Sequence, residues 1–300
     1  MLLLSNGDNY PEFLREKGSI LILGFFDGIH SGHRKVICDA VNYAKNSNKK
    51  TIMLTFNNSP AEYFGKKKEY IYPREYSYKL AEKLGVDFII VSDFSSLAKV
   101  SAVEYIEKYL AKTYSPAAIF TGFNYTFGYE RKGTPELLEN FQSVFGYKYI
   151  MEVPYKLNGK IVSSTNIKEY LTQGEIESAN QMLGEPFTIE GQVIYGEQIG
   201  RTIGFPTANI KYPQNIIRLP YGVYKVYADN KPAVLNWGTK PTVNGNHEGL
   251  EVHIPNFSGN LYGKQISIKV IKKLRDEKKF NGIKELTEQI KKDVSVCLEL

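Results

Sequence analysis

Two different spacings of hydrophobic residues divide the chain. Up to about residue 155, short apolar runs alternate with segments of helical period. The predicted strands are Ile20–Phe25, Lys50–Phe56, Asp87–Val91, Ala117–Thr121 and Tyr147–Val153. The predicted helices between them are Arg34–Asn46, Tyr76–Leu84, Ser101–Ala111 and Thr134–Phe145. Fully apolar strands that alternate with helices predict a doubly wound parallel sheet with helices on both faces.

After Phe187 the apolar residues recur at every second position. Phe187–Tyr195 and Gln265–Val270 alternate in this way, and three more strand candidates lie between them: Gly222–Ala228, Ala233–Trp237 and Leu250–Ile254. Five or six short antiparallel strands within about 85 residues predict a small closed barrel. The chain then ends in an amphipathic helix, with apolar residues at helical spacing: Ile283, Leu286, Ile290 and Val294.

Two short predicted helices, Thr165–Leu171 and Glu175–Leu183, connect these halves. A chain of 300 residues is long enough for two domains. We therefore predict a first domain of residues 1–185, including connector helices within 163–185, and a second domain of residues 186–300.

The composition narrows the class of protein. The net charge is +6 and the basic residues are scattered, so a nucleic-acid partner is not expected, although polyphosphate ligands are. The two cysteines, Cys38 and Cys297, lie in separate predicted elements, which favours a reducing cytoplasm over a disulfide framework. No apolar run approaches the length of a membrane span. We expect a soluble cytoplasmic protein that is a monomer or a weak homo-oligomer.

The phrase Gly24-Phe25-Phe-Asp27-Gly-Ile-His30-Ser-Gly32-His33 lies where a predicted strand ends and a helix begins. Ligands of α/β sheets bind at this edge, and the free N–H groups of a helix N-terminus attract phosphate. H-x-G-H is the signature of nucleotidylyl transferases, in which histidine donors stabilise charge on phosphoryl oxygens. The alternative is two incidental surface histidines on a turn.

Two further phrases of the first half contain candidate ligand-binding residues. Thr121-Gly-Phe-Asn124-Tyr-Thr-Phe-Gly128 also follows a strand, so Asn124 and the nearby Arg131 could meet a base or a phosphate; the alternative is an ordinary glycine-rich turn. Ser163, Ser164, Thr165 and Lys168 stand at the start of a predicted helix. Hydroxyl side chains at this position are expected first of all to cap the helix. One hydroxyl can cap the helix while the others bind a phosphate, so the two roles are compatible.

The second half contains Gly200-Arg201-Thr-Ile-Gly204-Phe-Pro206-Thr207-Ala-Asn209. Glycines let a polyphosphate approach the backbone, and Thr207 and Asn209 point to one side of an extended segment. Their hydroxyl and amide oxygens suit Mg²⁺. In Leu250-Glu251-Val-His253-Ile, Glu251 is a candidate general base, although a lone strand glutamate is usually just solvated.

Together and in this order, these phrases resemble the bifunctional prokaryotic riboflavin kinase/FAD synthetase family over nearly the whole chain. G-F-F-D-G-I-H-S-G-H, T-G-F-N-Y-T-F-G and S-S-T-N-I-K resemble its FMN adenylyltransferase module. G-R-T-I-G-F-P-T-A-N, P-Y-G-V-Y, L-E-V-H, L-Y-G-K and L-R-D-E-K-K-F resemble its riboflavin kinase module. The resemblance implies phosphorylation of riboflavin by ATP to FMN and ADP, then adenylylation of FMN to FAD with release of pyrophosphate.

The resemblance also implies roles for individual residues. His30, His33, Asn124 and the Ser164–Thr165 region would handle ATP and the FMN phosphate. Thr207 and Asn209 would hold Mg²⁺-ATP, and Glu251 would take the proton from the ribityl 5′-hydroxyl. The remaining implied positions lie beside the flavin: Arg275, Glu277 and Phe280.

Four positions depart from the pattern of the family. Ser59 stands where a histidine is expected, and Lys168 where arginine is usual. Lys240 also replaces an arginine, and Glu185 replaces a basic residue. Lysine keeps the charge but loses the planar fork of arginine, so the first two departures bear on the rate of adenylylation.

Three other functions share parts of this pattern. An adenylyltransferase for another phosphate acceptor would use the two histidines, but this function would give no role to the second half of the chain. A class I aminoacyl-tRNA synthetase would need a lysine-rich K-M-S-K-S loop, which we do not find. A flavin-responsive regulator that binds nucleic acid would keep the fold without turnover.

Overall fold

The computed structural model describes residues 2–5, 18–196, 199–242 and 245–298. Contacts between Cα atoms divide the chain into two compact units, Met1–Ser163 and Ser164–Leu300. The predicted architecture, a doubly wound parallel sheet followed by a small closed barrel and a terminal helix, is confirmed. Among the described residues, no helix combines the length and apolar character that a membrane span requires.

The first unit contains a parallel sheet of six strands in the order β1-β4-β3-β2-β5-β6. The strands are β1 (Leu2–Ser5), β2 (Ile20–Leu23), β3 (Thr51–Phe56), β4 (Phe88–Ser92), β5 (Ala118–Gly122) and β6 (Lys148–Glu152). The last five match the predicted strands. Strand β1, which was not predicted, pairs with β4 and extends the sheet by one strand.

Helices cover the faces of this sheet. They are α1 (Ser31–Asn46), α2 (Pro60–Tyr63), α3 (Arg74–Lys83), α4 (Phe94–Leu97), α5 (Ala102–Glu104) and α6 (Pro135–Phe145). Helix α5 continues as a π-helix, Tyr105–Lys112, a 3₁₀ turn spans Tyr129–Arg131, and Lys156–Leu157 (β7) pairs with Lys160–Ile161 (β8). Thr134 caps α6 through its side chain. The Ser101 side chain accepts from the N–H of Glu104, whereas the Glu104 carboxylate pairs with Lys108, so only half of a capping box is formed there.

The site-bearing loops follow β2 and β5, which are neighbours at the centre of the sheet. The chain leaves β2 towards β3 on one side, whereas β5 lies on the other side of β2. This is the point at which the strand order reverses, where open α/β sheets bind their ligands. Strand β2 is fully buried, so its position is set by the core and the loop that follows it starts from a rigid point.

The second unit is built on a closed antiparallel barrel in the order β10-β13-β12-β11-β14-β9. The strands are β9 (Phe187–Ile194), β10 (Ala208–Lys211), β11 (Gly222–Ala228), β12 (Lys231–Thr242), β13 (Gly245–His253) and β14 (Gln265–Asp276). A short helix, α9 (Ile199–Thr202), lies between β9 and β10. Strand β10 is the extended segment on which the sequence places Asn209, and it closes the barrel between β9 and β13.

The connector helices pack with the barrel. Helix α7 (Ser164–Gln173) contacts α8 (Ile176–Leu183), and α8 contacts β9 and β14. The predicted first domain, residues 1–185, includes both helices, whereas the compact unit that contains them begins at Ser164. The difference arises because the apolar face of α8, which includes Ile176 and Ala179, is buried in the second unit. To which activity this segment belongs stays a prediction.

The terminal helix α10 (Ile283–Leu298) covers one side of the barrel and contacts β11 and β12. Its buried Asp293 accepts hydrogen bonds from Arg275 of β14, with 2.9 Å between Nη2 and Oδ2. Gln289 donates to the same carboxylate at 2.9 Å. The helix is therefore held by a buried ion pair as well as by its apolar face.

Asn180 fastens α8 to the barrel. Its Nδ2 donates to the carbonyl of Val270 at 2.9 Å, and its Oδ1 accepts from the N–H of Phe187 at 2.7 Å. Asn180→Ala should lower the free energy of unfolding by about 2 kcal/mol, because two backbone groups lose their partner. Denaturation followed by the fluorescence of Trp237, the single tryptophan and a barrel residue, measures the change. The exposed Gln173→Ala is the control; equal stabilities for the two variants would contradict this role.

Candidate active sites

The loop between β2 and α1 has an unusual backbone. Three of its residues have positive φ angles: Phe26 (57°), Gly28 (87°) and Ile29 (43°). A β-branched residue such as Ile29 is strained in this region, so the surrounding structure must hold the loop in place. Gly24 is also required, because a Cβ there would lie 2.7 Å from the ring of Phe26. Such backbone strain is characteristic of functional loops.

This loop delivers the two predicted histidines to one place. His30 is the N-cap of α1, and its Nδ1 accepts a hydrogen bond from the N–H of His33 at 3.3 Å. The two imidazole rings stack with 3.6 Å between their centroids, and Phe26 packs edge-on against His33 at 5.3 Å. Gly32 lies under the His30 ring, where an added Cβ would be 3.3 Å from Cε1. The predicted pair is thus a single stacked unit at a helix N-terminus.

Both imidazoles are kept neutral. Burial lowers the pKa of His30 from 6.5 to about 4. Burial, followed by the charges of His30 and Arg74, holds the pKa of His33 well below its usual value. Since Nδ1 of His30 accepts a hydrogen bond, its proton lies on Nε2 in the neutral ring, and that N–H is a donor. Nδ1 of His33 is buried and has no hydrogen-bond partner among the described residues.

Arg74 is a site residue that the sequence analysis missed. It is the first residue of α3 and is only 8% exposed. Its Nη1 donates to the carbonyl of Phe25 at 2.8 Å, and its Nη2 donates to Thr55 Oγ1 at 2.7 Å. A basic residue in the first turn of a helix, directly after Pro73, was the available signal, because acidic residues are preferred there.

Two other residues near this loop have structural roles. Asp27, which is buried, accepts a hydrogen bond from the N–H of Ile71 at 3.0 Å. Ser59, at the position where the family pattern has histidine, is the N-cap of α2. Its Oγ accepts from the N–H of Glu62, whose carboxylate accepts from the N–H of Ser59 at 2.7 Å. The substitution therefore forms a capping box.

The loop after β5 lies beside the histidine loop because β5 pairs with β2. Asn124 is exposed there, and its Oδ1 lies over Gly122, 3.6 Å from where a Cβ would be. Arg131 is exposed on the 3₁₀ turn and donates from Nε to Thr126 Oγ1 at 3.1 Å. Both side chains are accessible to a ligand, and their binding roles stay predictions.

A cavity of about 280 Å³ opens at the same edge of the sheet. Its lining includes Gly24, residues at the ends of β3 and β4, and four tyrosines: Tyr105, Tyr109, Tyr114 and Tyr125. Burial raises the pKa of Tyr105 and of Tyr125, so both remain neutral hydroxyls. The two imidazoles do not line this cavity. The tyrosines come from separate segments, so only the fold shows that they belong together.

The segment with hydroxyl side chains at the start of α7 spans the boundary between the two units. Ser163 is the last residue of the first unit, whereas Ser164, Thr165 and Lys168 lie in the first turns of α7 in the second unit. Thr165 is exposed, and Ser164 and Lys168 are half-buried. Their assignment to the adenylylation site stays a prediction.

The barrel has a second cavity, of about 310 Å³. Three predicted residues line it, namely Arg201, Pro206 and Thr207, together with the apolar Val252, Phe257 and Tyr262. Gly200 packs tightly behind this segment, because a Cβ there would lie 2.3 Å from the carbonyl oxygen of Phe205. Gly204 has a φ of 88°, which favours glycine. The predicted glycines thus allow the backbone to fold around one end of the cavity.

Glu251 lies beside this cavity but does not line it. In the barrel, Glu251 pairs directly with Asn209 of β10 on one side and with Asn236 of β12 on the other. Paired residues of antiparallel strands share a face, so two amides flank the carboxylate. Asn209 is 9% exposed, and Gly196 approaches it so closely that a Cβ would lie 2.1 Å from Nδ2. Asn236 was missed because its pairing depends on the register of the barrel.

The other predicted barrel residues lie elsewhere on the unit. His253 donates a hydrogen bond from Nδ1 to the carbonyl of Pro206 at 2.8 Å and so ties β13 to the glycine-rich segment. Arg275 is engaged by Asp293 and lies over the ring of Phe280 at 5.7 Å. Glu277 is exposed near Gly238. The places of Arg275, Glu277 and Phe280 beside a flavin stay predictions.

Three of the departures from the family pattern are in this unit: Lys168 of α7, Glu185 and Lys240. Glu185 is half-buried in the turn between α8 and β9. The side chain of Lys240 lies outside the described residues.

Comparison with known proteins agrees with both halves of the molecule. A family model described as FAD synthetase matches residues 13–166, and one described as riboflavin kinase matches residues 183–300. A bifunctional riboflavin kinase/FMN adenylyltransferase from Bacillus subtilis (strain 168) is 37% identical over 92% of this chain and 90% of that protein. The chain belongs to the bifunctional riboflavin kinase/FMN adenylyltransferase family. The sequence resemblance is therefore confirmed.

Other relatives support the same family. A bifunctional riboflavin kinase/FMN adenylyltransferase from Haemophilus influenzae (strain ATCC 51907 / DSM 11121 / KW20 / Rd) is 35% identical, with 94% of both chains covered. A crystal structure of a Streptococcus pneumoniae protein, described as a macrolide-efflux protein, superposes with a TM-score of 0.90 at 28% identity over 100% of both chains. That name differs from those of the sequence relatives. The relatives of higher identity and the two family models decide the family assignment.

Burial of His30 makes the stability of the first unit depend on pH. Because its pKa is about 4 when folded and 6.5 when unfolded, the unfolded chain binds more protons between these values. The stabilisation is present above pH 6.5 and is lost as the pH falls towards 4. At pH 5 the loss is about 2 kcal/mol. His30→Asn, which keeps a good helix cap but cannot titrate, should lose about 2 kcal/mol less than the parent between pH 7.5 and 5.

Hydrogen exchange of the slowest amides in β2 measures this difference within the first unit. The barrel amides of β11 are the internal control, since the substitution lies in the other compact unit. Equal pH dependence of β2 protection in parent and variant would mean that His30 is not protected from protonation.

Proposed function

We propose that the two units catalyse consecutive reactions of flavin cofactor synthesis. The barrel unit phosphorylates riboflavin with ATP to give FMN and ADP, and the parallel-sheet unit adenylylates FMN with a second ATP to give FAD and pyrophosphate. The observation that carries this proposal is the match of two different family models to the two halves, each of which has its own candidate phosphate site.

In adenylyl transfer, an oxygen of the FMN phosphate attacks the α-phosphorus of ATP. The new P–O bond forms as the bond to the bridging oxygen breaks, and pyrophosphate leaves. Negative charge grows on the oxygens of the α-phosphorus, next to the N-terminus of α1 in our proposal. Neutral His30, with its proton on Nε2, donates a hydrogen bond to this charge without a covalent intermediate. The preorganised stack with His33 supports this role, because little reorganisation is needed when the charge forms.

The tyrosine-lined cavity is the candidate flavin site of the first unit. Its lining is mainly apolar and aromatic, as a planar isoalloxazine ring requires, and aromatic pairs add about 0.5–1.5 kcal/mol beyond the area that they bury. Gly24 connects this cavity with the histidine loop. The ring of FMN would occupy the cavity while its phosphate meets ATP at the helix N-terminus. Asn124 and Arg131 are candidates for contacts with these phosphates.

In the barrel, the cavity beside Thr207 is the candidate ATP site. Thr207, which lines the cavity, would supply a hydroxyl, and Asn209, which lies outside the lining and pairs with Glu251 across the strands, would supply an amide oxygen. These oxygen donors fit Mg²⁺, which prefers oxygen ligands. Glycine at position 200 leaves space beside Thr207, because a Cβ there would lie 3.4 Å from its Oγ1. Bound Mg²⁺ would neutralise charge on the ATP phosphates. The apolar end of the cavity, with Phe257 and Tyr262, suits the adenine ring.

Glu251 is the candidate general base for riboflavin. The ribityl 5′-hydroxyl attacks the γ-phosphorus of ATP, its proton passes to the Glu251 carboxylate, and ADP leaves. Because Glu251 lies outside the ATP cavity, the hydroxyl would approach from a different side than the nucleotide. Asn209 and Asn236 can hold the carboxylate towards the substrate. A cytoplasmic location, with its supply of ATP, and a monomer or weak homo-oligomer complete the proposal.

Replacement of His33 tests the first site. His33→Ala removes the stacked partner of His30, and FAD formation from FMN and ATP should fall by at least about 10²-fold. FMN formation from riboflavin by the same preparation should barely change, because that chemistry belongs to the barrel. Chromatographic separation of the flavins measures both rates. Near-normal FAD formation would refute a role of the histidine pair in adenylyl transfer.

Replacement of Glu251 tests the second site. Glu251→Gln keeps the size of the side chain but removes its basicity, so FMN formation should fall by at least about 10²-fold while riboflavin and ATP bind nearly as before. Adenylylation of added FMN should be unaffected. Glu288→Gln on the exposed face of α10 is the control for loss of one carboxylate. If Glu251→Gln retains a rate within a few-fold of the parent, the base is another group.

A further inference from the structure

The position of Arg74 is energetically unfavourable. Its guanidinium is buried at the first residue of α3, where the partial positive charge of the helix N-terminus opposes a cation. Among the described residues, no carboxylate forms an ion pair with it, and its buried Nε has no hydrogen-bond partner. A buried charge without a counter-ion destabilises a fold. A surface or core arginine with no further role would not be expected here.

The contacts of Arg74 converge on the end of β2. Nη1 donates to the carbonyl of Phe25 and Nη2 to Thr55 Oγ1, while Thr55 Oγ1 itself donates to the same Phe25 carbonyl at 3.2 Å. The guanidinium also lies over the Phe25 ring at 4.4 Å and the Tyr78 ring at 5.3 Å. Arg74 therefore joins α3, the end of β3 and the histidine loop at one point.

These contacts of Arg74 restrain the strained part of the histidine loop, which carries the two imidazoles. The residue after Phe25 has a positive φ, and so does Ile29, the residue before His30. A strained backbone keeps its conformation only when its surroundings restrain it. The Phe25 carbonyl is held by two donors at the start of this segment, and the cap of α1 holds its other end.

We propose that Arg74 is a positioning residue for adenylyl transfer, which fixes the histidine loop through the Phe25 carbonyl and places a positive charge close to the His30–His33 pair. The proposal rests on the adenylylation activity proposed above. The charge draws the anionic phosphates to the site and adds to the burial that keeps His33 neutral. Bound ATP and FMN would bring negative charge close to Arg74.

Among the described residues, two groups lower the pKa of His33 through their charge. His30 stacks on it from the helix cap, and Arg74 acts on it from α3; both charges lower the pKa of His33. The carboxylate of Asp27 accepts from Ile71, and Nε of Arg34 donates to the Ile29 carbonyl at 3.0 Å. Removal of the Arg74 charge should therefore let His33 take up a proton at higher pH.

The test compares Arg74→Met, Arg74→Lys and Thr55→Val in the full-length chain. FAD formation from FMN and ATP is measured as kcat/KM against pH, and FMN formation from riboflavin is measured in parallel. Arg74→Met should lower kcat/KM by at least about tenfold through the displaced loop. The pH at which kcat/KM falls on the acid side (the acid limb of the profile) should also rise by on the order of one unit, because His33 loses a neighbouring positive charge.

The other two variants separate geometry from charge. Arg74→Lys and Thr55→Val should lower kcat/KM but leave the acid limb where the parent has it, because both retain a cation at residue 74. Lys83→Met, which removes an exposed cation from the other end of α3, should change neither quantity. The substrates are identical throughout, so their own ionisation cancels in the comparison.

Three results would overturn the proposal. One is an Arg74→Met enzyme with a parental rate. Another is a slower Arg74→Met enzyme whose acid limb has not moved, which would leave Arg74 a purely structural residue. If Arg74→Met fails to fold, a shifted limb in Arg74→Lys or an unchanged rate in Thr55→Val decides against it. Absence of FAD formation by the parent would instead refute the proposed function itself.

Discussion

The first unit depends on the removal of two imidazoles from water at the end of a buried strand. Desolvation makes the charged form of His30 and His33 unfavourable, so the pair remains neutral at physiological pH. Neutral rings can stack at 3.6 Å, whereas two imidazolium ions would repel each other. The same burial requires a backbone with positive φ angles, because the chain must turn from β2 into α1 within a few residues.

The surroundings of this loop compensate for its strain. The fully buried β2 fixes the start of the loop, and the His30 cap fixes its end. Hydrogen bonds from Arg74 and Thr55 hold the carbonyl of Phe25, which lies between these two ends. Ser59 caps a neighbouring helix at a position where a histidine was expected. At this position the chain thus has a residue that stabilises local structure, while the H-x-G-H pair is present.

The barrel organises its polar residues by strand register. Asn209, Glu251 and Asn236 occupy directly paired positions on three adjacent strands, so one face presents an amide, a carboxylate and a second amide in a row. A slip of one residue in any of these strands would turn its side chain to the other face. Closure of the barrel prevents such slips, because every strand pairs on both sides. The two units thus reach precise placement of polar groups by different physical means.

The sequence by itself determined the two architectures, because the spacing of apolar residues reflects local geometry. It also singled out the candidate site residues His30 with His33 and Thr207 with Asn209, since each pair lies within one short segment. The tertiary structure decided what depends on contacts between distant segments. Arg74 meets the histidine loop across 49 positions of the chain, and the tyrosines of the cavity come from separate elements. Helix α8 joins the barrel because its partners, β9 and β14, exist only after the barrel has closed.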